Sequence, residues 1–116
     1  MTKLPFHLSI DFEDLSYDLL RSIGETPKIS SSALEISYHM MNKYSETKLK
    51  GKKLTFFTTG TVARTMPDIL KQMVNDGHEV GSHYNFHDLM FKQSAYEIAK
   101  NLEISKESIF NACGKE

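Results

Sequence analysis

The chain has 116 residues, enough for one domain with a modest core but short of the roughly 200 or more that a complete α/β barrel uses. With 14 Lys and Arg against 15 Asp and Glu the net charge is −1, and the two signs are interspersed, so there is no basic stripe of the kind that holds nucleic acid. No apolar run reaches the length of a membrane span or of a signal-peptide core, which makes the cytoplasm the expected location, and the single Cys113 has no partner for an internal disulfide.

Leu8-Ser9-Ile10 alternates apolar and small residues and runs into Asp11-Phe12-Glu13-Asp14, the pattern of a buried strand that ends in three acids. Carboxylates so close together repel one another unless a cation or a proton offsets them, and strand ends are where α/β folds place their chemistry. A solvated acidic turn is the plainer alternative. From Ile29 to about Leu49, Ala33, Ile36, Met40 and Tyr44 recur at helical spacing behind the candidate caps Ser30, Ser31 and Ser32, which predicts a helix laid over the first strand. Lys48, Lys50, Lys52 and Lys53 around Gly51 read as a solvated turn.

Leu54 to Thr58 is a β-branched and aromatic run closed by Thr59-Gly60, a second buried strand. Pro67 suits the first turn of a helix whose apolar face is Ile69, Leu70, Met73 and Val74 and whose end is Gly77. His78 to Ser82 forms a third strand. Ser94-x-x-Glu97 is a capping box opening a long helix that Gly114 closes, with Ile98, Leu102, Ile109 and Cys113 as its buried face. Phe56, Phe57, Phe86 and Phe91 are expected in the core, and Tyr84 and Asn85 shape a loop.

After the third strand, His83 and His87 stand four apart, a separation that lets both rings turn toward one metal ion. His78 lies outside the pair: it is one residue too far from His83 for the H-E-x-x-H helix of metalloproteases, and Gly81 weakens any helix between them. Strands alternating with helices favour a parallel sheet, in which all strand C-terminal ends lie on one side. That topology brings Asp11, Glu13 or Asp14 toward His83 and His87.

Ile10-Asp11-Phe12-Glu13-Asp14 resembles the first motif, and Ser82-His83-Tyr84-Asn85-Phe86-His87 the second, of the polysaccharide deacetylases, the NodB-homology or carbohydrate esterase family 4 group. The acidic motif is most similar to the Asp-Val-Glu-Asp branch found in surface-polysaccharide gene clusters. Leu54 to Gly60, Met66-Pro67 and Gly77 to Gly81 follow the family's order of elements, whereas its later arginine, aspartate and Leu-x-His motifs are not found here. The resemblance implies an α/β fold, the N-terminal portion of a distorted (β/α) barrel, with residues 1–116 forming a single partial domain whose C-terminal half is absent. It implies metal-dependent hydrolysis of N-acetyl groups on a sugar or polysaccharide. The divalent ion, zinc foremost, would be held by Asp14, His83 and His87, with Asp11 or Glu13 as general base.

Matching Glu13-Asp14 to the family's acid pair makes Glu13 the base and Asp14 the ligand; matching on strand alternation makes Asp11 the base and moves the ligand to Glu13 or Asp14. The partner implied is an N-acetylated carbohydrate. A second reading is a non-catalytic remnant that binds carbohydrate or pairs through its open sheet with another copy or a missing half.

Overall fold

The computed structural model describes residues 5–14, 16–24, 31–86 and 88–114. Strands β1 (Ser9–Phe12), β2 (Thr55–Thr58) and β3 (Glu79–Ser82) form a parallel sheet in the order β1-β2-β3. Ile10, Phe56 and Val80 lie side by side across it, as do Phe12, Thr58 and Ser82 at its C-terminal end. Parallel neighbours cannot be joined by tight turns, so the intervening chain crosses over as helices. Helices α1 (Ser16–Ile23) and α2 (Ser31–Thr47) precede β2; α3 (Gly60–Thr65) and α4 (Pro67–Asn75) precede β3; a 3₁₀ turn at Met90–Lys92 leads into α5 (Ala95–Cys113), which packs on α3 and α4.

The helix ends follow local chemistry. Ser94 Oγ accepts from the Glu97 N–H at 3.2 Å while Glu97 returns a carboxylate to the Ser94 N–H at 2.6 Å, completing the capping box. Those bonds hold the Glu97 carboxyl below its ordinary pKa. Gly114 closes α5 in the left-handed conformation, φ 71°, where a side chain would be strained. Helices α1 and α3 were not anticipated. In α3 the Thr59-Gly60 pair that ends β2 also opens a helix, because Thr59 Oγ1 caps the Val62 N–H at 3.3 Å.

Phe56, on the central strand, is fully buried, with Phe12 edge-on at 6.0 Å and Tyr38 at 5.5 Å, and Leu54, Val62, Leu70, Met73 and Ile109 complete the core. Strand β1 is less enclosed than its sequence suggested. Phe12 is buried but Ser9 and Asp11 are exposed, as befits an outer strand of the described sheet whose faces differ.

Two helices bury a different face from the one expected. In α2, Ile36, Met40 and Tyr44 are exposed, and Tyr38 and Ser45 are buried with Leu34 and Met41 beside them. Both sets have helical spacing; Tyr38 enters because its hydroxyl donates to Asp76, and its ring meets Phe56 and His78. In α5, Ile109 is buried and Ile98 and Cys113 partly so, but Leu102 is exposed. The packed side carries Ser105, Ser108 and Ala112, small residues that let α5 approach α3 and α4 closely. Phe86 and Phe91 are likewise exposed and Phe57 is half-buried, leaving Phe56 as the core member of that set.

His78, set aside as a ligand, is a core residue. Its Nδ1 accepts the Leu54 N–H at 3.0 Å and its Nε2 meets Asn42 Oδ1 at 2.7 Å, which fixes the neutral ring with the proton on Nε2. Burial, aided by the Lys53 charge, pushes its pKa below the ordinary histidine value.

Candidate active site

The parallel register sets Phe12, Thr58 and Ser82 abreast, so the residues that follow them emerge at one edge of the sheet. His83 extends the pairing by one step, its N–H donating to the Thr58 carbonyl at 2.8 Å. Asp11 and Glu13 lie two residues apart, the spacing that puts side chains on one face of an extended chain, and both reach the same ring. Glu13 Oε2 is 3.3 Å from His83 Nε2 and Asp11 Oδ1 is 3.7 Å from His83 Nδ1. Glu13 and His83 are about a quarter exposed, at 24% and 27% of their side-chain surface, while Asp11 stands well out at 62%. Asp14, half-buried, follows directly. His87 lies outside the described residues.

This donor set fits a divalent cation in its chemistry. A neutral imidazole carries one lone pair and one N–H, and a carboxylate facing each nitrogen suits a ring that ligates through one and donates through the other. Imidazole with carboxylate oxygens serves zinc and related ions. Among the described residues, no three His, Cys, Asp or Glu side chains gather closely enough to hold an ion by themselves.

The loop after His83 is held from several sides. Tyr84 adopts a left-handed conformation, φ 67°, unusual for a bulky residue and stable only where its surroundings enforce it. Its carbonyl accepts from the Gly60 N–H at 2.9 Å and Ser105 Oγ at 3.0 Å, and its hydroxyl donates to Gln93 Oε1 at 2.7 Å. The Asn85 carbonyl accepts from the Thr61 N–H at 3.1 Å, and its side chain is buried between Arg64 and Asn101. Tyr84 and Asn85 thus shape the loop, as their sequence position suggested. Arg64, Gln93, Asn101 and Ser105 were missed, although Asn101, Ser105 and Ser108 recur at helical spacing in α5 and so mark a polar stripe on the side that packs.

An open cavity of about 410 Å³ lies beside His83, walled by Tyr84, Phe86, Met90 and Leu102, with Asp88 as its acid. That location accounts for Phe86 and Leu102 lying outside the core. A larger open groove of about 580 Å³ runs between α3, α4 and α5 past Pro67, Ile104 and Glu107 and contains none of the acid–histidine set. No helix among the described residues is long and apolar enough to cross a membrane.

Similarity to known proteins shows the family and the fold. A family model for polysaccharide deacetylases matches residues 38–116, more than half of the chain. The peptidoglycan-N-acetylmuramic acid deacetylase PdaA of Bacillus subtilis is 31% identical over 62 residues, covering 53% of this chain and 24% of that protein. The peptidoglycan-N-acetylglucosamine deacetylase PgdA of Listeria monocytogenes is 32% identical over 62 residues, covering 53% of this chain and 13% of its own length. Among solved structures, the peptidoglycan deacetylase PdaC of Bacillus subtilis superposes with a TM-score of 0.62 at 23% identity, covering 95% of this chain and 44% of that one. The chain therefore spans less than half the length of each of these proteins. Its parallel strands and helices form a portion of the (β/α) barrel seen in such structural neighbours. With the family model matched over residues 38–116 and the fold shared with such neighbours, the chain belongs to the polysaccharide deacetylase family.

Proposed function

We propose that this chain supplies the acid–histidine part of a metal-dependent deacetylase site that hydrolyses N-acetyl groups on a polysaccharide. The observation that carries the reading is the placement of Asp11 and Glu13 on either side of His83 at the C-terminal edge of the sheet. Asp14, His83 and His87 would hold the ion, zinc foremost. When bound, a divalent ion supplies Lewis acidity toward an amide carbonyl.

The remaining chemistry belongs to side chains. Asp11 or Glu13 takes a proton from the attacking water, for which it must sit within hydrogen-bond reach of that water as it approaches the acetyl carbon. The second carboxylate keeps the His83 ring oriented through the nitrogen it faces. Addition of water and cleavage of the C–N bond, with the proton held by that carboxyl group passed to the departing nitrogen, release acetate and a free amine on the sugar. The cavity beside His83, with apolar walls and a single acid, offers space for the sugar that carries the acetyl group.

The names of PdaA and PgdA make N-acetylmuramic acid and N-acetylglucosamine in peptidoglycan the first substrates to examine, within a wider role in surface-polysaccharide metabolism. Because the chain covers under half of each relative, the proposed activity is that of an assembled barrel to which these residues contribute one part of the site.

Acetate release from N-acetylated sugar oligomers, followed before and after chelation together with metal content, tests this function. In the assembled barrel, stoichiometric metal and chelator-sensitive acetate release are expected. Acetate release that survives complete removal of metal would refute the mechanism.

A further inference from the structure

Arg64, in the last turn of α3, makes an unusual set of contacts for a surface arginine. Its Nη1 donates to Asn85 Oδ1 at 2.7 Å and to Ser108 Oγ at 2.9 Å, and its guanidinium carbon lies 5.5 Å from the centre of the Phe86 ring. One planar group thereby ties α3, the loop after His83 and α5 together. Among the described residues it has no carboxylate partner within ion-pair distance, so its contacts are geometric rather than charge-neutralising.

The bonds continue beyond Asn85. Asn85 Nδ2 donates to Asn101 Oδ1 at 2.9 Å, and Asn101 Nδ2 donates to Gln93 Oε1 at 3.1 Å. The same Gln93 oxygen receives the Tyr84 hydroxyl at 2.7 Å, while Gln93 Nε2 donates to Asp88 Oδ2 at 2.7 Å. Tyr84, Asn85, Phe86 and Asp88, which surround His87 in the chain and directly follow His83, are all gripped by this network. Asn85 is buried, and a buried polar side chain is costly when left unsatisfied, so its bonds to Arg64 and Asn101 favour this arrangement of the loop over others.

Gly60 shows how little room the arrangement leaves. A Cβ there would stand 2.5 Å from Asn85 Oδ1 and 2.9 Å from Arg64 Nη1, yet the Gly60 backbone is not left-handed. The glycine is needed for close approach of the clamp, not for the turn of the chain.

We infer that Arg64 is a positioning residue for the His83 loop, acting through Asn85 and the Asn101–Gln93 relay. The inference rests on the reading of His83 as part of the deacetylase site. Arg64→Lys keeps the charge and removes the planar fork, and Gly60→Ala pushes on the same clamp from the other side while favouring the helix. In metal-free protein at fixed pH, the His83 ring resonances observed by NMR should move in both variants. In zinc titration calorimetry, affinity should fall about tenfold in each, the scale on which supporting groups act on metal ligands.

His83 resonances unchanged in Arg64→Lys and Gly60→Ala, with wild-type zinc affinity, would overturn the inference. If wild-type protein binds no zinc, the deacetylase reading is what fails, and the metal-free ring resonances still decide whether Arg64 positions the loop. The side chain of Arg64 is exposed, so Arg64→Lys is expected to fold, and its thermal midpoint provides the check.

Discussion

His78 and His83, five residues apart, illustrate how position in the sheet decides what an imidazole does. His78 sits before the N-terminal end of β3, walled by Phe56 and Tyr38, and uses both nitrogens on fixed neutral partners. Its folded pKa lies below the unfolded value of 6.5, chiefly because burial disfavours the charged ring. A depressed folded pKa means that the neutral ring's full contribution to stability is present above that unfolded value and is lost as pH falls below it. The thermal midpoint should therefore drop from pH 7 to pH 5, and His78→Gln should flatten that dependence while lowering stability throughout; an equally steep fall in His78→Gln would contradict the assignment. His83, at the opposite end of the same strand, meets ionisable carboxylates instead. Its meeting with the acids was legible from the acidic strand end and the alternation of strands and helices. The choice among the acids was not, because three neighbouring carboxylates can each be matched to the family motif. Asp11→Asn, Glu13→Gln and Asp14→Asn separate them: the ligand variant should lose metal, and the base variant should keep metal and lose rate.

At the level of elements, strands and caps were readable and helix faces were not. Alternation and β-branched runs located all three strands to within a residue or two, and the Ser94–Glu97 box and Gly114 marked both ends of α5. Helix α2 carries two apolar stripes of equal spacing, and only tertiary contact chooses between them. The choice falls on Tyr38, whose ring reaches Phe56 and His78 and whose hydroxyl finds Asp76. Burial, reinforced by the Asp76 carboxylate, raises the Tyr38 pKa well above the ordinary phenol value, so the hydroxyl stays protonated as a donor. Ile36→Gln and Met40→Gln should each shift stability by less than about 0.5 kcal/mol, as expected of exposed sites. Tyr38→Ala should cost about 3–5 kcal/mol, as for a large buried aromatic. Denaturant unfolding of the three variants checks the pattern, and a large loss in Met40→Gln would restore the other face. Helices α1 and α3 were missed for a related reason. α3 is a six-residue helix lying between a strand-ending Thr-Gly and a Pro that opens the next helix, too short for a periodic signal.

In the whole molecule, the parallel order β1-β2-β3 converts residues distant in sequence into neighbours at one sheet edge. That much followed from alternating strands and helices alone. The network supporting the His83 loop did not, since it is assembled from α3, the loop, the chain before α5 and α5 itself, and no local pattern joins Arg64 to Gln93. The parallel register, which sets the ends of β1 and β3 abreast, accounts for the meeting of the acids with His83. Zinc titration calorimetry on wild-type protein and on His83→Ala, with circular dichroism to confirm that both are folded, tests the central claim most directly. Stoichiometric binding in wild type that is lost in folded His83→Ala is the predicted result. Absence of binding in folded wild type, or equal binding in both proteins, would contradict it.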